Sequence, residues 1–315
     1  MCGITGIVAN HENGLGPTKE KKYHALGSIS HRGPDAEGQY EDNQVWLGHV
    51  RLSILDLSDA GGQPMSTPDG RYVICYNGEV YNFNELSREL NLNDLQSCSD
   101  TEVLLHAFAK LGIDSIKLFN GMFAFAIYDK QEKKIWLVRD RLGIKPLYYR
   151  FDEDGFSFAS EINAFDDQEA QCNLSAIHEW LYYGTTYSDR TLFKGICKLS
   201  PGHYLELDLV TFVSKIECYW SPAHYSGCKK YSGSVDDHIK NTHNLLEQAV
   251  KRQLISDVPV GVFLSGGIDS SAITAFASKH YAGKLATYSV GFDYDKGINE
   301  LPKAKEIARL YGTDH

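Results

Sequence analysis

The sequence has no excess of basic residues, no long apolar run and no basic leader at its start. Lys and Arg number 31 against 41 Asp and Glu among 315 residues, for a net charge of −10. Nucleic-acid-binding proteins instead carry basic patches, so the charge argues against that class. No apolar run approaches the ~18 residues of a membrane span. Residues 1–10 lack the basic region that opens a secretory signal, which favours the cytoplasm.

Cysteine is present but is not patterned for cross-linking. The seven cysteines are odd in number and none forms a C-x-x-C pair, which argues against a complete disulfide framework and a zinc ribbon. We therefore expect no structural metal. Hydrophobic residues make up 43% and charged residues 23%, as in ordinary globular proteins. The length corresponds to about two domains of ~150 residues.

Strand signals dominate the N-terminal two thirds of the chain. Strands are predicted at residues 3–9, 45–50, 51–57, 72–76, 122–128, 135–138, 156–159 and 204–207. Asn77-Gly78 predicts a hairpin turn directly after one of them. Two helices are predicted, one at 84–90 and one that begins at a capping box, Ser99-Asp-Thr-Glu102, and ends at Gly112. This pattern favours stacked antiparallel sheets flanked by helices.

The pattern changes near residue 220. Residues 220–235 are rich in Ser, Gly and Lys and are typical of a linker. A helix at 236–254, a strand at 258–264, a helix ending at 281, a strand at 285–291 and a helix at 301–311 then predict an α/β region. The apolar side chains of the first of these helices, expected to form a packing face, are Ile239, Leu245, Leu246, Ala249, Val250 and Leu254.

Cys2 is the first residue whose position suggests chemistry. Removal of Met1 leaves a thiol and a free α-amino group on one residue. That amine, with a reference pKa near ~7.7–8.0, can serve as a base for the thiol at neutral pH. The position of Cys2 alone, however, favours the interpretation that it is a small apolar residue at the start of a strand.

Other positions supply the remaining groups that acyl transfer needs. Asn77 and Gly78 offer an amide group and a main-chain N–H to an oxyanion. Arg51 can bind a carboxylate bidentately, and Asp100 can pair with an ammonium group. Each alone also has a structural interpretation: a hairpin turn, a surface arginine, and an acid favoured by the helix dipole.

The motifs around these positions occur together and in a fixed order. They are MCGITGI at the start, His31-Arg-Gly-Pro-Asp35, RLSIL from residue 51, YNGEVYN from residue 76, Ser99-Asp-Thr-Glu102, and Asp140-Arg-Leu-Gly-Ile-Lys-Pro-Leu-Tyr-Tyr149. This set resembles glutamine-dependent asparagine synthetases, whose N-terminal half is a class II glutamine amidotransferase. The resemblance implies an α+β fold over residues 2–210, the four-layer αββα sandwich of the N-terminal-nucleophile hydrolases.

The resemblance also implies roles for the matched residues. Cys2 attacks the side-chain amide of glutamine, with Asn77 and Gly78 as the oxyanion hole. The implied products are glutamate and ammonia. The implied glutamine-binding residues are Arg51 for the α-carboxylate, Glu79 and Asp100 for the α-ammonium, and Ile54 and Asn77 in the lining of the site.

A Gly/Ser loop follows the strand predicted at 258–264. Its sequence, Leu264-Ser-Gly-Gly-Ile-Asp-Ser-Ser271, places two glycines and three serines ahead of a helix, which suits an anion. The lysine of a Walker A loop is absent, and an ordinary strand–helix turn is the structural alternative. The pattern resembles the pyrophosphate loop of the ATP pyrophosphatases. The implied ATP-binding residues are Leu264, Ser265, Gly266, Gly267, Asp269, Ser270, Ser271, Val290 and Gly291, with Asp269 as a candidate Mg²⁺ ligand.

The C-terminal region is short for such a domain. Only two strand–helix units fit between residue 258 and the last residue, whereas a doubly wound sheet has about five or six strands. The prediction is therefore a linker at 211–235. An incomplete α/β ATP pyrophosphatase domain, of the adenine nucleotide α-hydrolase-like class, follows at 236–315.

The function that the resemblance implies is glutamine-dependent synthesis of asparagine. Ammonia passes through an internal channel to aspartate activated as β-aspartyl-AMP, giving asparagine, AMP and pyrophosphate. The implied substrates are glutamine, aspartate and ATP with Mg²⁺. No nucleic-acid or membrane partner is expected, and a homodimer is allowed. Two alternatives stay open: an amidotransferase for another acid or for a sugar in polysaccharide biosynthesis, and a truncated chain with a glutaminase or binding role only.

Overall fold

The chain forms two compact units, Met1–Ser226 and Gly227–His315. The computed structural model describes residues 2–10, 18–153, 155–165, 171–187, 189–227, 232–291 and 299–315. Met1, whose removal the sequence analysis expects, and residues 228–231 of the predicted linker lie outside the described residues.

The first unit is built mainly from short antiparallel strands. In chain order they are β1 (Gly3–Ala9), β2 (Ala36–Glu41), β3 (Val45–Arg51), β4 (Met65–Ser66), β5 (Tyr72–Val80), β6 (Gly121–Asp129), β7 (Lys134–Arg139), β8 (Tyr148–Asp152), β9 (Gly155–Ala159), β10 (Ile196–Lys198), β11 (His203–Asp208) and β12 (Ser214–Cys218). They form two sheets, with the orders β10-β8-β9-β1-β3-β2 and β12-β11-β7-β6-β5-β4. The helices are α1 (Lys19–Ser28), α2 (Phe83–Glu89), α3 (Asp100–Leu111) and α4 (Leu174–Tyr183).

Alternation of side chains along the strands explains the layering of this unit. Successive residues of a strand point to opposite faces. In the first sheet, Leu47 therefore packs into the core between the sheets while Trp46 packs with α1. In the second sheet, Ala126 enters the core between the sheets while Phe125 packs with α3. The result is the predicted four-layer αββα sandwich.

Two local predictions in this unit are wrong. Residues 52–57 do not form a strand, because that segment leaves β3 and wraps around the side chain of Arg51. Asn77-Gly78 is not a hairpin turn, because both residues lie inside β5 and pair with Ala124 and Phe123 of β6. Gly78 is required by this close pairing, since a Cβ there would lie 2.4 Å from the carbonyl oxygen of Met122.

The predicted capping box of α3 is only half formed. The Ser99 side chain accepts a hydrogen bond from Thr101 N–H, as a helix cap does. The Glu102 carboxylate instead accepts from the main-chain N–H groups of Gln96 and Ser97, at 2.8 and 2.7 Å. It therefore organises the loop that enters the helix. The helices α1 and α4 and the short strands β2, β4, β8, β10 and β12 were not predicted from the sequence.

The second unit contains a small parallel sheet among helices. Its elements are α5 (Val235–Gln253), β13 (Gly261–Phe263), α6 (Ile268–His280), β14 (Ala286–Tyr288) and α7 (Leu301–Tyr311). β13 and β14 pair in parallel, with Val262 opposite Thr287. Asp314 forms a further parallel bridge with Ala286. The alternation of strand and helix is the predicted α/β pattern.

Two features of the C-terminal third depart from the prediction. β12 lies within the predicted 211–235 linker but pairs with β11, so it belongs to the second sheet. The apolar side chains of α5 do not form a buried face: no residue of this helix is buried, and Leu245 is 72% exposed. Among the described residues, no helix has both the length and the apolar character to cross a membrane.

Candidate active site

One cavity of the first unit brings together most of the residues predicted for glutamine chemistry. Six of them line it: Cys2, Arg51, Ile54, Gly78, Glu79 and Asp100. They come from the residue before β1, the end of β3 and its following loop, β5, and the start of α3, so the fold and not the local sequence assembles them. A larger cavity of this unit, whose lining includes Asp42, Lys133 and Phe212, contains none of the predicted residues.

Cys2 is held in place through main-chain contacts. Leu52 N–H donates to Cys2 Sγ at 3.4 Å. Arg32 Nε donates to the Cys2 carbonyl oxygen at 3.0 Å, and Arg32 is held in turn by Glu161 at 2.6 Å. Burial raises the pKa of the Cys2 thiol, although the hydrogen bond with Leu52 opposes the shift. A thiol with a raised pKa is largely protonated at neutral pH, so it needs a nearby base to act as a nucleophile.

Asn77 has a buried side-chain amide whose nitrogen is unsatisfied among the described residues. It shares a face of β5 with Cys75, which belongs to the core between the sheets. This face therefore looks towards the sheet that contains β1, which Cys2 precedes. Asn77 is 1% exposed, and its Nδ2 has no hydrogen-bond partner among the described residues. Leaving such a donor unpaired costs about 1–3 kcal/mol, and a donor of this kind is what an oxyanion site requires.

Arg51 is fixed by the loop that the sequence analysis took for a strand. Its guanidinium donates to the carbonyl oxygens of Leu55, Asp56 and Ser58. Asp56 has a φ of +52°, and this left-handed conformation turns the loop back towards the arginine. Gly61 completes the pocket around the guanidinium, since a Cβ there would lie 2.2 Å from Nη2. The arginine is therefore preorganised at the rim of the cavity.

Glu79 and Asp100 are two carboxyl groups close together at the same cavity. Asp100 Oδ2 accepts hydrogen bonds from Tyr76 Oη–H at 2.7 Å and Val80 N–H at 2.8 Å. Burial, followed by repulsion from Asp100, raises the pKa of Glu79, and attraction to Lys145 opposes this. Burial also raises the pKa of Asp100, against the effect of its two hydrogen bonds. Paired buried carboxyls suit a cationic ligand, because its charge offsets both the cost of burying a carboxylate and the repulsion between the two carboxylates.

Several residues of this site were not predicted from the sequence. Leu52, Gln63 and Tyr76 line the cavity, and Gln63 Oε1 accepts from Tyr76 N–H at 2.7 Å. Lys145 is 3% exposed and interacts electrostatically with both Cys2 and Glu79. Leu52 and Tyr76 lie in RLSIL and YNGEVYN, and Lys145 lies in the 140–149 motif. These residues could therefore have been found through the motifs that contain them. Composition and spacing give none of them a role.

The predicted phosphate loop lies between β13 and α6 in the second unit. Ser265 Oγ lies 3.0 Å from Ser270 Oγ and accepts from Gly267 N–H at 3.3 Å. Gly266 has a φ of +79°, and a Cβ there would lie 2.7 Å from Cβ of Lys303. Glycine is therefore required here both by the backbone and by the close approach of α7.

A cavity beside this loop contains part of the predicted nucleotide site. Its lining includes the predicted residues Leu264, Ser265 and Val290, and three that the sequence analysis missed: Tyr288, Ser289 and Glu300. The other predicted residues, Gly266, Gly267, Asp269, Ser270, Ser271 and Gly291, are not part of that lining. Leu264 is also a core residue, because its side chain packs with Ala304 and Ala308.

Asp269 is the residue predicted to bind Mg²⁺. It lies exposed in the first turn of α6, and the described residues contain no group of three or more His, Cys, Asp and Glu that could hold a metal ion. Mg²⁺ often binds through one or two carboxylates together with substrate phosphates. The position of Asp269 fits that mode, in which the ion arrives with the nucleotide.

An αββα sandwich with a cysteine at the start of an inner strand, beside paired carboxyls and a fixed arginine, defines a glutamine amidotransferase of the N-terminal-nucleophile class. The chain belongs to the family described as "Glutamine amidotransferase domain", whose model matches residues 1–220. Residues 241–315 match the model described as "Asparagine synthase".

Curated relatives match the whole chain. "Asparagine synthetase [glutamine-hydrolyzing] 3" of Bacillus subtilis is 38% identical over 100% of this chain and 53% of its own length. "Putative asparagine synthetase [glutamine-hydrolyzing] 2" of Methanocaldococcus jannaschii is 36% identical over 100% of this chain and 64% of its own length. The chain therefore spans between half and two thirds of the length of these relatives.

Solved structures support the fold. The glutamine phosphoribosylpyrophosphate amidotransferase of B. subtilis, complexed with ADP and GMP, superposes with a TM-score of 0.51 at 19% identity. The superposition covers 96% of this chain and 70% of that one. At this identity the similarity concerns the fold alone.

Proposed function

We propose that the protein is a glutamine-dependent asparagine synthetase. In this proposal the first unit hydrolyses glutamine, and the second uses ATP to activate the aspartate that accepts the ammonia. The observation that carries the proposal is the cavity in which Cys2, Arg51, Glu79 and Asp100 meet. The two family models, matched in this order along the chain, support the pairing of the two reactions.

The proposed glutaminase reaction begins once Met1 is removed. The free α-amino group of Cys2 takes the proton of its own thiol, and Sγ attacks the side-chain carbonyl carbon of glutamine. Asn77 Nδ2 and the Gly78 N–H bind the oxyanion that forms. The C–N bond then breaks as the protonated α-amino group of Cys2 returns the proton to the amide nitrogen, which leaves as ammonia, and a thioester remains on Sγ. Water finally attacks the thioester and releases glutamate.

The proposed binding of glutamine uses both ends of its α-amino acid group. Arg51 binds the α-carboxylate, and Glu79 and Asp100 bind the α-ammonium. Ile54, which lines the cavity, would contact the side chain between them, and Asn77 would contact its amide end. Binding both charges places the amide carbon at a fixed distance from Cys2, which is the positional advantage that enzymes gain over solution.

The proposed second site binds ATP with its pyrophosphate part at the Gly/Ser loop. Ser265, Gly266, Gly267, Ser270 and Ser271 would bind phosphate oxygens through N–H and hydroxyl groups. Leu264, Val290 and Gly291 would contact the adenosine part, and Asp269 would supply one carboxylate to the Mg²⁺ that accompanies ATP. The proposed substrates are thus glutamine, aspartate and ATP, and the proposed location is the cytoplasm. In this proposal the glutaminase domain corresponds to the unit Met1–Ser226 and the ATP-binding domain to the unit Gly227–His315.

A second candidate function is amidation of a different acceptor acid. The observation that favours it is a relative named "Amidase chyE" of Penicillium rubens, which is 31% identical over 100% of this chain and 50% of its own length. Both candidates use the same glutaminase site. They differ only in the acceptor that the second unit activates.

The glutaminase proposal is tested with an electrophilic diazo-ketone analogue of glutamine. Mass spectrometry of the purified chain should show that Met1 is absent and that one analogue is attached to the peptide beginning at Cys2. A chain that retains Met1, or an adduct on another cysteine, contradicts the proposed mechanism. The acceptor is tested by supplying glutamine and ATP with aspartate or with other carboxylic acids, and by measuring which acid acquires nitrogen from amide-labelled glutamine.

A further inference from the structure

Beyond the short strand β4, strand β5 forms an edge of the second sheet. In an antiparallel strand, the main-chain N–H and C=O groups of every second residue point to the same neighbour. The N–H of Thr67, which follows β4, donates to the Tyr72 carbonyl oxygen at 3.0 Å, so the even-numbered residues of β5 face this side. β4 has only two residues. Among the described residues, no strand continues it beside Tyr76, Gly78 and Val80.

Two side chains take the place of a strand beside Tyr76. Gln63 Oε1 accepts a hydrogen bond from the Tyr76 N–H at 2.7 Å, and His49 Nε2 lies 3.1 Å from the Tyr76 carbonyl oxygen. A carbonyl oxygen only accepts hydrogen bonds, so His49 carries its hydrogen on Nε2 and donates. His49 belongs to β3 of the first sheet. Its hydrogen bond therefore ties β5 to β3 across the space between the two sheets.

Gly78 lies between two residues whose main-chain groups are held by side chains. Tyr76 precedes it, and Val80 N–H, on its other side, donates to Asp100 Oδ2 at 2.8 Å. Gly78 faces the same edge of the sheet and lines the cavity, and no side chain among the described residues accepts a hydrogen bond from its N–H. This N–H is therefore available to the oxyanion that the proposed reaction forms.

His49 is a buried histidine that the proposed reaction does not use. It is 0% exposed, and its Nδ1 has no hydrogen-bond partner among the described residues. Burial lowers the pKa of His49 to about 4; the hydrogen bond with Tyr76 opposes this shift, and repulsion from Arg51 adds to it. A neutral imidazole has a single N–H, and that of His49 is directed to Tyr76. An apolar side chain at this position would leave the Tyr76 carbonyl oxygen unpaired, which is costly inside a protein.

We propose that His49 is a positioning residue, whose Nε2–H holds the Tyr76 carbonyl oxygen and so keeps the Asn77 amide and the Gly78 N–H directed at the oxyanion. The proposal rests on the glutaminase function proposed above. Asn77 follows Tyr76 directly, so any displacement of the Tyr76 carbonyl group moves both oxyanion donors. His49 is not among the residues that line the cavity. It therefore acts through β5, without touching glutamine.

The first test replaces His49 by leucine. His49→Leu should lower kcat for glutamine hydrolysis by about tenfold to a hundredfold, because oxyanion donors act only when they are accurately placed. KM should change by less than about twofold, because the groups that bind the two charges of glutamine are unaffected. His49→Gln, whose side-chain amide can again donate to the Tyr76 carbonyl oxygen, should recover kcat to within about threefold of wild type.

His24→Leu is the matched control. His24 Nε2 also lies 3.1 Å from a main-chain carbonyl oxygen, that of Asn163, but His24 belongs to the outer helix α1 and is exposed. Both kinetic constants should be unchanged in this variant. Thermal unfolding of each variant checks that the fold is retained.

The separation of kcat from KM identifies the route by which His49 acts. His49 lies two residues before Arg51 on β3. If its role were to place Arg51, KM for glutamine would rise while kcat stayed unchanged, and this result overturns the proposal. A His49→Leu variant with the kcat of wild type also overturns it. So does a His49→Gln variant as slow as His49→Leu, because the N–H donor would then be irrelevant.

A measurement on the wild-type chain separates the inference from the proposed function. With histidine labelled at its ring nitrogens, NMR at neutral pH should show His49 as a neutral ring with its hydrogen on Nε2. A ring with its hydrogen on Nδ1 overturns the inference, whether or not the chain hydrolyses glutamine. Wild-type chain that hydrolyses no glutamine contradicts the glutaminase proposal itself. If His49→Leu does not fold, His49→Asn replaces it: this amide is too short to reach Tyr76, and a wild-type kcat in His49→Asn overturns the inference.

Discussion

The two units differ in how they bury apolar side chains. This difference determines how strongly the structure of each site points to a bound ligand. The first unit has three extensive core clusters, one between the sheets and one on each outer face. Among the residues of the second unit that the structure describes, one cluster of three buried residues is found, Leu264, Ala304 and Ala308. Phe263, beside its phosphate loop, is 78% exposed.

The consequence concerns the polar groups at each site. In the first unit, the polar side chains at the site are buried. An unpaired amide nitrogen such as that of Asn77, and two neighbouring carboxyls such as Glu79 and Asp100, are costly there, and a bound ligand would offset that cost. In the second unit, Ser265 and Ser270 are partly or fully exposed and bond to each other. Their geometry is compatible with a phosphate without requiring one. The proposed chemistry of the first site therefore has support from buried groups in the structure, whereas the proposal for the second site rests on its motif.

If the first unit alone carries the glutaminase chemistry, removal of its nucleophile has the largest effect. Cys2→Ala should lower kcat for glutamine hydrolysis by at least about a thousandfold, as loss of a covalent nucleophile does in other enzymes. Release of glutamate is the measurement. Cys98→Ala removes an exposed free cysteine and should keep full activity. Substantial hydrolysis by Cys2→Ala would falsify the assignment of the site.

The buried amide of Asn77 should give the next largest effect. Asn77→Ala removes one oxyanion donor and should lower kcat by about 100-fold to 1,000-fold while KM changes little. Steady-state kinetics with glutamine measures both constants. Asn82→Ala is the matched control, because that side chain donates to the Leu118 carbonyl oxygen at 3.0 Å and has a structural partner. Equal losses of kcat in the two variants would mean that Asn77 is structural as well.

Sequence patterns anticipated the layers of the first unit because its strands alternate strongly in burial. β1, β6, β7 and β11 all lie close to their predicted ranges. Asn77-Gly78 was misread because this pair is also the strongest hairpin signal. Its glycine is instead demanded by the nearness of β6, which no local pattern reports. The strand predicted at 51–57 failed for a related reason: beyond Arg51, main-chain carbonyl oxygens of the segment accept hydrogen bonds from the Arg51 guanidinium, and the segment does not continue a sheet.

The candidate glutaminase site was predictable as a set of residues but not as a geometry. Residue chemistry pointed to Cys2, Arg51 and Asp100, the resemblance added Glu79, and the fold brings all four to one cavity. The electrostatic position of Lys145 could not be predicted, because it depends on a loop that is distant in sequence from β5. Whether a lysine is buried depends on tertiary contacts, which amino-acid composition does not predict.

The paired carboxyls of the first unit also predict a dependence on pH. Burial raises the pKa values of Glu79 and Asp100, and repulsion from Asp100 adds to the rise at Glu79. Both groups therefore gain protons at a higher pH than the usual ~4 of exposed carboxyls. A protonated carboxyl no longer attracts the α-ammonium. KM for glutamine should therefore rise by roughly tenfold for each unit by which the pH falls below the raised pKa. This rise should begin well above pH ~4, where exposed carboxyls titrate. A KM that stays constant down to pH ~5 would contradict the pair.

The smallest expected effect tests the difference in burial itself, through two leucines on helices. Leu104 of α3 is 1% exposed, so Leu104→Ala should destabilise the first unit by about 2–5 kcal/mol. Leu245 of α5 is 72% exposed, so Leu245→Ala should change the free energy of unfolding by less than about 0.5 kcal/mol.

The two variants need different measurements. All four tryptophans lie in the first unit, so urea unfolding followed by tryptophan fluorescence measures the effect of Leu104→Ala. Far-UV circular dichroism and hydrogen exchange of α5 measure the effect of Leu245→Ala. A cost at Leu245 as large as that at Leu104 can arise only if the apolar face of α5 is covered in solution. The second unit would then have a core of its own, and its phosphate loop would be held as firmly as the glutaminase site.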